Sequence, residues 1–188
     1  MTWWIILIIV IAGLALLYGL WYIATYNSLV RLKNDIDEAF STMDVSMKKR
    51  FDLVPNLVAT VKGYIKHESE TLKAVTDARA SVANAKSSGE KLKAQNQMTT
   101  AITNLFAVAE SYPELKANAN FIDLQGQLSH LETEIANSRK YYNACVKTYN
   151  TRIQVFPSSI VARGRGFEKA TLYELENKAE RKNVKVEF

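Results

Sequence analysis

The sequence predicts an all-α protein in which an N-terminal transmembrane helix continues into an antiparallel bundle of about four long helices. An uninterrupted apolar stretch fills residues 3–24. Apolar residues then recur at three- and four-residue steps, the spacing of a helix with one buried face. The chain contains only 7 glycines and 3 prolines, and runs of β-branched residues are few. This composition is typical of long helices.

The apolar stretch has the length of a membrane span. Its first charged neighbour is Arg31, and a helix of about 20 apolar residues crosses the hydrocarbon core at about 1.5 Å per residue. Aromatic residues, which prefer membrane interfaces, stand at both ends: Trp3, Trp4, Trp21, Tyr22 and Tyr26. We predict a transmembrane signal-anchor helix over residues 1–26, with the lipid bilayer as its partner.

A cleaved signal peptide is the less favoured interpretation of this stretch. No basic region precedes it, and it is longer than an ordinary signal-peptide core. The candidate cleavage site Tyr22-Ile23-Ala24 has a tyrosine where a small residue is required. We therefore expect the anchor to be retained.

The flanking charges predict the orientation. Arg31 and Lys33 follow the span, whereas no basic side chain precedes it. The positive-inside rule then predicts a single-pass protein of the cell (inner) membrane, with a short N-terminus outside and a cytoplasmic C-terminal domain. Cys145 is the single cysteine, which fits a reducing compartment.

The first bundle helix is expected to continue from Asn27 without a break. Its predicted buried stripe also carries Arg50 and consists of Leu29, Leu32, Ile36, Ala39, Phe40, Met43, Met47 and Val54. Pro55 predicts a break or kink, because proline disfavours helix at the preceding residue. Asp52 is placed to cap the helix where it restarts near Asn56.

Three further helices follow in the prediction. The second runs over residues 57–86, and a turn at 87–89 leads to a third that ends near Glu110. Tyr112 and Pro113 punctuate the chain after it. The bundle domain is thus expected over residues 27–157.

The fourth predicted helix is the most regular and ends at Pro157. It has a heptad-like apolar seam, formed by Phe121, Leu124, Leu128, Leu131, Ile135, Ser138, Tyr142, Cys145, Tyr149 and Phe156, with Ile153 one residue off the line. Beyond it, residues 158–167 are predicted to form a loop. Together with 168–188 they make up a mobile or weakly helical C-terminal tail over 158–188.

Residues with catalytic or metal-binding chemistry do not form a recognisable pattern. His67 has threonine, not histidine, four residues later, and His130 is distant. Such spacing predicts no metal site. No glycine-rich phosphate loop occurs, and Cys145 on the predicted seam is better interpreted as a small hydrophobe than as a nucleophile. We predict a protein that is not an enzyme and uses no cofactor.

The net charge of +5 is too evenly spread for a nucleic-acid-binding stripe. The polar residues that stand out surround the predicted helix break and the Tyr-Asn pairs. The candidate structural or interaction residues are Asn27, Lys49, Arg50, Asp52, Pro55, Asn56, Tyr112, Pro113, Arg139, Tyr142, Asn143 and Asn150. Arg50 on a buried stripe would need a carboxylate or carbonyl partner. The group either specifies register, as polar seam residues do, or forms a ligand or partner site.

Short motifs along the chain, several of which contain these candidate residues, resemble those of the LemA family. They occur in order as Tyr26–Val30, Ala39–Phe40, Lys49–Val58, Ala78–Ala80, Glu110–Ala117, Phe121–Gln125, Arg139–Asn143 and Phe156–Pro157. Lys49 stands where the family usually has arginine. The resemblance implies a bacterial single-pass membrane protein with a cytoplasmic bundle of long helices. No enzymatic activity is established for the family, so the resemblance implies none for this chain. Some members of the family are associated with internal membrane compartments.

Two functions are compatible with these observations. The favoured one is a membrane-anchored helical scaffold that forms a homo-oligomer and organises or remodels membrane. The alternative is a membrane-tethered ligand-sensing or adaptor bundle, in which Arg50, Asp52 and Asn143 bind a small anion or a membrane or cytoplasmic protein partner.

Overall fold

A computed structural model describes residues 2–65 and 69–173, and over these ranges the protein is all-α, as predicted. Six helices occur in the described residues: α1 (Thr2–Lys62), α2 (Ser69–Asn84), α3 (Ser88–Ala109), α4 (Pro113–Lys116), α5 (Ala119–Gln154) and α6 (Ser158–Gly164). No β-strand is found within 2–65 or 69–173.

The chain divides into two compact units. Of the described residues, the first unit contains those up to Phe40 together with Tyr141–Leu172, and the second contains those between Ser41 and Lys140 together with Tyr173. Helices α1 and α5 each contribute one part to each unit.

In the first unit, the apolar part of α1 is exposed on every side over residues 3–18, and Trp21 and Tyr22 are half-buried. None of its most apolar residues is buried, and among the described helices α1 alone is long and apolar enough to cross a membrane. After Thr25 only one face of the helix is buried, and Leu29, Ile36 and Ala39 lie on that face. This change is what a helix shows where it passes from lipid to a protein core.

In the first unit, the C-terminal part of α5 and helix α6 run antiparallel to this part of α1. The rings of Phe40 and Tyr142, on α1 and α5, meet edge to face at 6.0 Å. Further along the chain, Arg165 reaches back to Tyr22, at the C-terminal end of the apolar part of α1. Higher numbers on α5 and α6 therefore correspond to lower numbers on α1.

The second unit encloses one hydrophobic core shared by α1, α2, α3, α4 and α5. Its fully buried members include Val54, Leu57, Val61, Val75, Met98, Leu105, Leu115 and Leu128. The turn between α2 and α3 is closed by a cap, since Ser87 Oγ accepts a hydrogen bond from the Glu90 amide at 3.2 Å. Glu90 in turn accepts one from the Lys86 amide at 2.8 Å, a variant of the capping box.

The predicted break at Pro55 is wrong, because α1 continues through it to Lys62. The carbonyl of Phe51, which an amide at position 55 would have bonded, instead accepts a hydrogen bond from Arg79 Nε at 3.3 Å. The helix ends at Lys62 and Gly63 follows it in a turn, so the predicted second helix does not begin at residue 57. Since no helix restarts there, the predicted cap at Asp52 is also wrong.

The predicted seam of the fourth helix is confirmed from Phe121 to Tyr142, with Ser138 half-buried, and again at Tyr149, but it shifts at two other positions beyond Tyr142. Val146 and Ile153 are buried in place of Cys145, which is half-buried, and Phe156, which is 80% exposed. An α-helix has 3.6 residues per turn, so a strict seven-residue repeat drifts off its face within a few turns.

The loop predicted over 158–167 is wrong in its first part, where α6 forms. Gly166 ends this helix with a φ of 70°. The Phe167 amide then bonds the Ala162 carbonyl at 3.0 Å, and the Gly166 amide bonds that of Arg163 at 3.4 Å. This is the Schellman motif, which requires the left-handed conformation that glycine adopts without strain. Residues 174–188 of the predicted tail lie outside the described residues.

Candidate functional site

Arg50 lies at the centre of a network of buried hydrogen bonds in the second unit. Its side chain is fully buried and donates to Thr99 Oγ1 at 2.5 Å and to the Gln95 carbonyl at 3.1 Å. It also donates to Glu132 Oε1 and Gln95 Oε1. The predicted need for a carboxylate or carbonyl partner is confirmed, and the contacts join α1 to α3 and α5.

These contacts occupy all the terminal guanidinium N–H groups of Arg50. Each of its two terminal nitrogens donates twice, and Nε is the buried nitrogen of this side chain without a partner. Thr99 Oγ1 also donates to Glu132 Oε2 at 3.2 Å, so the carboxylate is held from two sides. Such saturation supports a structural role, because no pair of N–H groups remains to receive an anion.

Tyr173 packs in the second unit against Asn96 and Arg139. The side chain is 5% exposed, and its hydroxyl donates to Asn96 Oδ1 at 2.8 Å. The guanidinium carbon of Arg139 lies 5.5 Å from the centre of its ring. Burial raises the pKa of Tyr173, while the charges of Arg50 and Arg139 act in the opposite direction. Arg139 therefore helps to hold the last residue that the structure describes.

In the first unit, polar residues of α5 bind a segment without regular secondary structure, formed by residues 168–172. Asn150 makes two hydrogen bonds with Ala170, donating to its carbonyl at 2.8 Å and accepting from its amide at 2.9 Å. Tyr149 donates to the Glu168 carbonyl and Tyr142 to the Thr171 carbonyl, each at 2.9 Å. The predicted tail is therefore hydrogen-bonded along its described part, and its anchors are residues that the Tyr-Asn pattern singled out.

The two tyrosine hydroxyls are held in the protonated, donating form. Burial raises the pKa of Tyr142, with Asp37 adding to the effect. Burial likewise raises the pKa of Tyr149, assisted by Glu168. Both groups can donate to backbone carbonyls over the whole neutral range, and ionisation would remove those bonds.

The remaining predicted residues are dispersed over both units. Asn27 is exposed and Asn143 half-buried in the first unit; Pro55 and Asn56 are exposed on α1 in the second. Pro113 is the first residue of α4 and the half-buried Tyr112 precedes it. The structure does not bring Arg50 and Asn143 together in one unit.

Lys49 and Asp52 line an open groove of about 620 Å³ in the second unit. Asp52 also forms an exposed ion pair with Lys48 at 3.0 Å. The other lining residues are Leu53, Gly126, Gln127, His130 and Leu131. The groove is open at Gly126, where an added Cβ would meet no atom within 4 Å.

In the first unit, two of the aromatic residues predicted to lie at a membrane interface, Tyr22 and Tyr26, contact residues that the sequence did not single out. Arg165 Nε donates to the Tyr22 hydroxyl at 2.9 Å, and the Phe167 ring meets that of Tyr26 at 5.9 Å. Trp3 and Trp4 are exposed, while Trp21 is half-buried. The signal that could have identified Arg165 is its position between Gly164 and Gly166, at a helix end. An open cavity of about 510 Å³ lies beside it, bordered by Tyr26 and Lys33 among others.

Within residues 2–65 and 69–173, no three or more histidine, cysteine or acidic side chains converge as metal ligands would. His130 is exposed and lies 3.6 Å from Glu134 on the same helix. His67 and Glu68 lie outside the described residues. The absence of metal and catalytic sites therefore stays a prediction.

Comparison with known proteins identifies relatives over most of the chain. The model of a family described as LemA family matches residues 39–188. Protein LemA of Metamycoplasma hominis is 29% identical over 145 residues, which cover 76% of this chain and 65% of that protein. Magnetosome protein MamQ 2 of Paramagnetospirillum magneticum is 24% identical over 175 residues, covering 79% and 64%. Magnetosome protein MamQ of Magnetospirillum gryphiswaldense is 23% identical, with the same coverage. The chain thus spans just under two thirds of the length of these relatives.

Proposed function

The chain belongs to the LemA family, and we propose that it is a non-enzymatic, membrane-anchored helical scaffold that self-associates and organises or remodels membrane. One observation carries the proposal. A helix whose apolar residues 3–18 are exposed on every side continues without a break into a bundle whose buried polar residues bond to other parts of the fold. The first feature supports a membrane anchor, because an exposed apolar helix of this length matches the hydrocarbon core of a bilayer. The second supports structural roles for the polar residues.

The anchor and its flanking charges support a location at the cell (inner) membrane. Arg31 and Lys33 are exposed on α1 beyond the apolar part. Basic residues in this position favour a cytoplasmic bundle. Relatives named as magnetosome proteins support a role connected with membranes of a cell compartment.

For self-association, we propose the groove at Gly126 as the contact surface. It has leucines in its lining and both a basic and an acidic residue, Lys49 and Asp52. A two-fold interface must be complementary to itself, and a surface with both signs of charge satisfies that condition. Anchoring in one plane further raises the effective concentration of such chains.

Filling the groove tests this surface. The variant Gly126→Leu places a side chain where an added Cβ meets nothing, so the fold should be retained. We expect size-exclusion chromatography with light scattering to show a loss of oligomer in this variant. Gly89→Leu is the matched control, since it also fills open space in a helix, and it should leave the oligomer intact. A Gly126→Leu variant with wild-type mass would reject the groove as the contact.

The adaptor alternative makes a different prediction for the same variants. It predicts that the wild-type chain and Gly126→Leu have the same oligomeric state, whether oligomer or monomer. Loss of a bound protein partner in Gly126→Leu, without a change in that state, would favour the adaptor over the scaffold. Its anion-binding form has no support in the geometry of Arg50, because the four terminal N–H groups are already bonded within the protein.

A further inference from the structure

The corner between α5 and α6 carries an exposed apolar surface in the first unit. Phe156 is 80% exposed, Ile160 50% and Val155 41%. Phe156 is thus more exposed than any of the large apolar side chains of the α1 span, of which the most exposed is Ile9 at 64%. Clustered apolar side chains of this size on a surface commonly mark a contact with a membrane or a partner.

The antiparallel packing places this corner beside the end of the apolar span. Tyr142 on α5 is opposite Phe40 on α1. Helix α5 ends at Gln154, twelve residues later, and the residue twelve positions before Phe40 is Ser28. Both steps correspond to about 18 Å along a helix. The corner therefore lies at the level of Tyr26 and Ser28, and Arg165, which follows α6, reaches Tyr22.

A cationic group occupies the same level. The guanidinium carbon of Arg165 lies 5.7 Å from the Tyr22 ring centre and 5.5 Å from that of Tyr26. Arg165 is exposed and, with Lys33, borders the open cavity at Tyr26. Apolar side chains beside arginine and interfacial tyrosines are the composition of elements that lie in the headgroup region of an anionic membrane.

We propose that the α5–α6 corner is a second membrane contact of this chain. Val155, Phe156 and Ile160 enter the boundary between headgroups and acyl chains, and Arg165 pairs with the phosphates of anionic lipid. The inference rests on the proposed function, in which the apolar part of α1 spans the bilayer. Two contacts at one level fix the orientation of the first unit to the membrane surface, which a single helix does not.

Site-directed labelling in vesicles tests this contact. Cys145 is the only native cysteine, so Cys145→Ser provides a background for Phe156→Cys and Ile160→Cys, each labelled with bimane. The matched control is Tyr141→Cys on α5, because Tyr141 is 60% exposed yet adjoins Tyr142 at the other end of the packed region. The labelled full-length chains are reconstituted in phosphatidylcholine–phosphatidylglycerol vesicles that contain a doxyl-labelled lipid.

We expect at least twofold stronger quenching at positions 156 and 160 than at 141, with a blue-shifted emission. Equal quenching at the three positions would overturn the inference. A fourth variant, Leu14→Cys in the apolar part of α1, separates this failure from that of the proposed function. Quenching at position 14 without quenching at 156 rejects only the second contact, whereas no quenching at 14 rejects the membrane span itself.

Discussion

Arg79 Nε donates a hydrogen bond to the backbone carbonyl of Phe51, 3.3 Å away. The guanidinium carbon of Arg79 also lies 4.1 Å from the centre of the Phe51 ring. In a regular helix this carbonyl would accept from the amide of residue 55, which is proline and has no N–H. A side chain from α2 thus replaces the missing backbone donor and allows α1 to continue through Pro55.

Arg79→Met should therefore destabilise the second unit. The substitution leaves the half-buried carbonyl of Phe51 without a donor, at a cost of about 1–3 kcal/mol. Thermal unfolding of the detergent-purified chain, followed by circular dichroism, measures the effect. Pro55→Ala supplies an amide for the same carbonyl, so the effect of Arg79→Met should be smaller in that background. Equal effects in both backgrounds would show that the two residues are not coupled.

Arg50→Met should be among the most destabilising single substitutions in the second unit. It leaves Glu132 and Gln95 without their buried donor, and breaking a buried pair costs about 3–5 kcal/mol. Because the Glu132 side chain is 29% exposed, we expect a value near the lower end. Urea unfolding measures it, with Lys73→Met, at an exposed position of α2 in the same unit, as control. A loss of less than about 0.5 kcal/mol, the ordinary range of surface changes, would contradict the structural role.

Stability should fall in alkaline solution because of Tyr142 and Tyr149. Burial raises the pKa of both above the ordinary value of 10.0. Their contribution is therefore fully present below pH 10 and is lost as the pH rises through the folded-state values. Melting temperatures from pH 8 upward should decline above pH 10, and less steeply in Tyr142→Phe/Tyr149→Phe. Identical slopes in the two proteins would exclude these hydroxyls as the cause.

Asn150→Ala should release the segment at residues 168–172. The substitution removes both hydrogen bonds to Ala170, so hydrogen exchange at the Ala170 amide should accelerate at least tenfold. Mass spectrometry after deuterium exchange measures this amide within its peptide. Asn27→Ala, a change at an exposed asparagine of the same unit, should leave the exchange unaltered. Unchanged exchange in Asn150→Ala would mean that other contacts hold the segment.

The helical class and most buried positions could be predicted from the sequence because periodicity depends on local spacing. The stripe from Leu29 to Val54, including Arg50, follows directly from steps of three and four residues. The continuation through Pro55 could not be predicted, because its substitute donor, Arg79, is 28 residues away. Hydrogen bonds between distant residues leave no periodic signal.

The candidate site was predictable in its residue types and less so in its partners. Asn150 and the tyrosines stand out as polar residues on an apolar seam, yet their partners are backbone atoms of residues 168–171. Backbone partners carry no side-chain signature. Arg165 was missed for a related reason, since its significance comes from the packing of α6 against α1 and not from its neighbours in the chain.

Native mass spectrometry of the wild-type chain, released from lipid nanodiscs, tests the central claim most directly. The proposed scaffold predicts a dominant species with at least twice the mass of one chain, in an integer multiple of that mass, accompanied by bound lipid. A spectrum of single chains at every protein concentration, in discs that hold room for several copies, would contradict it.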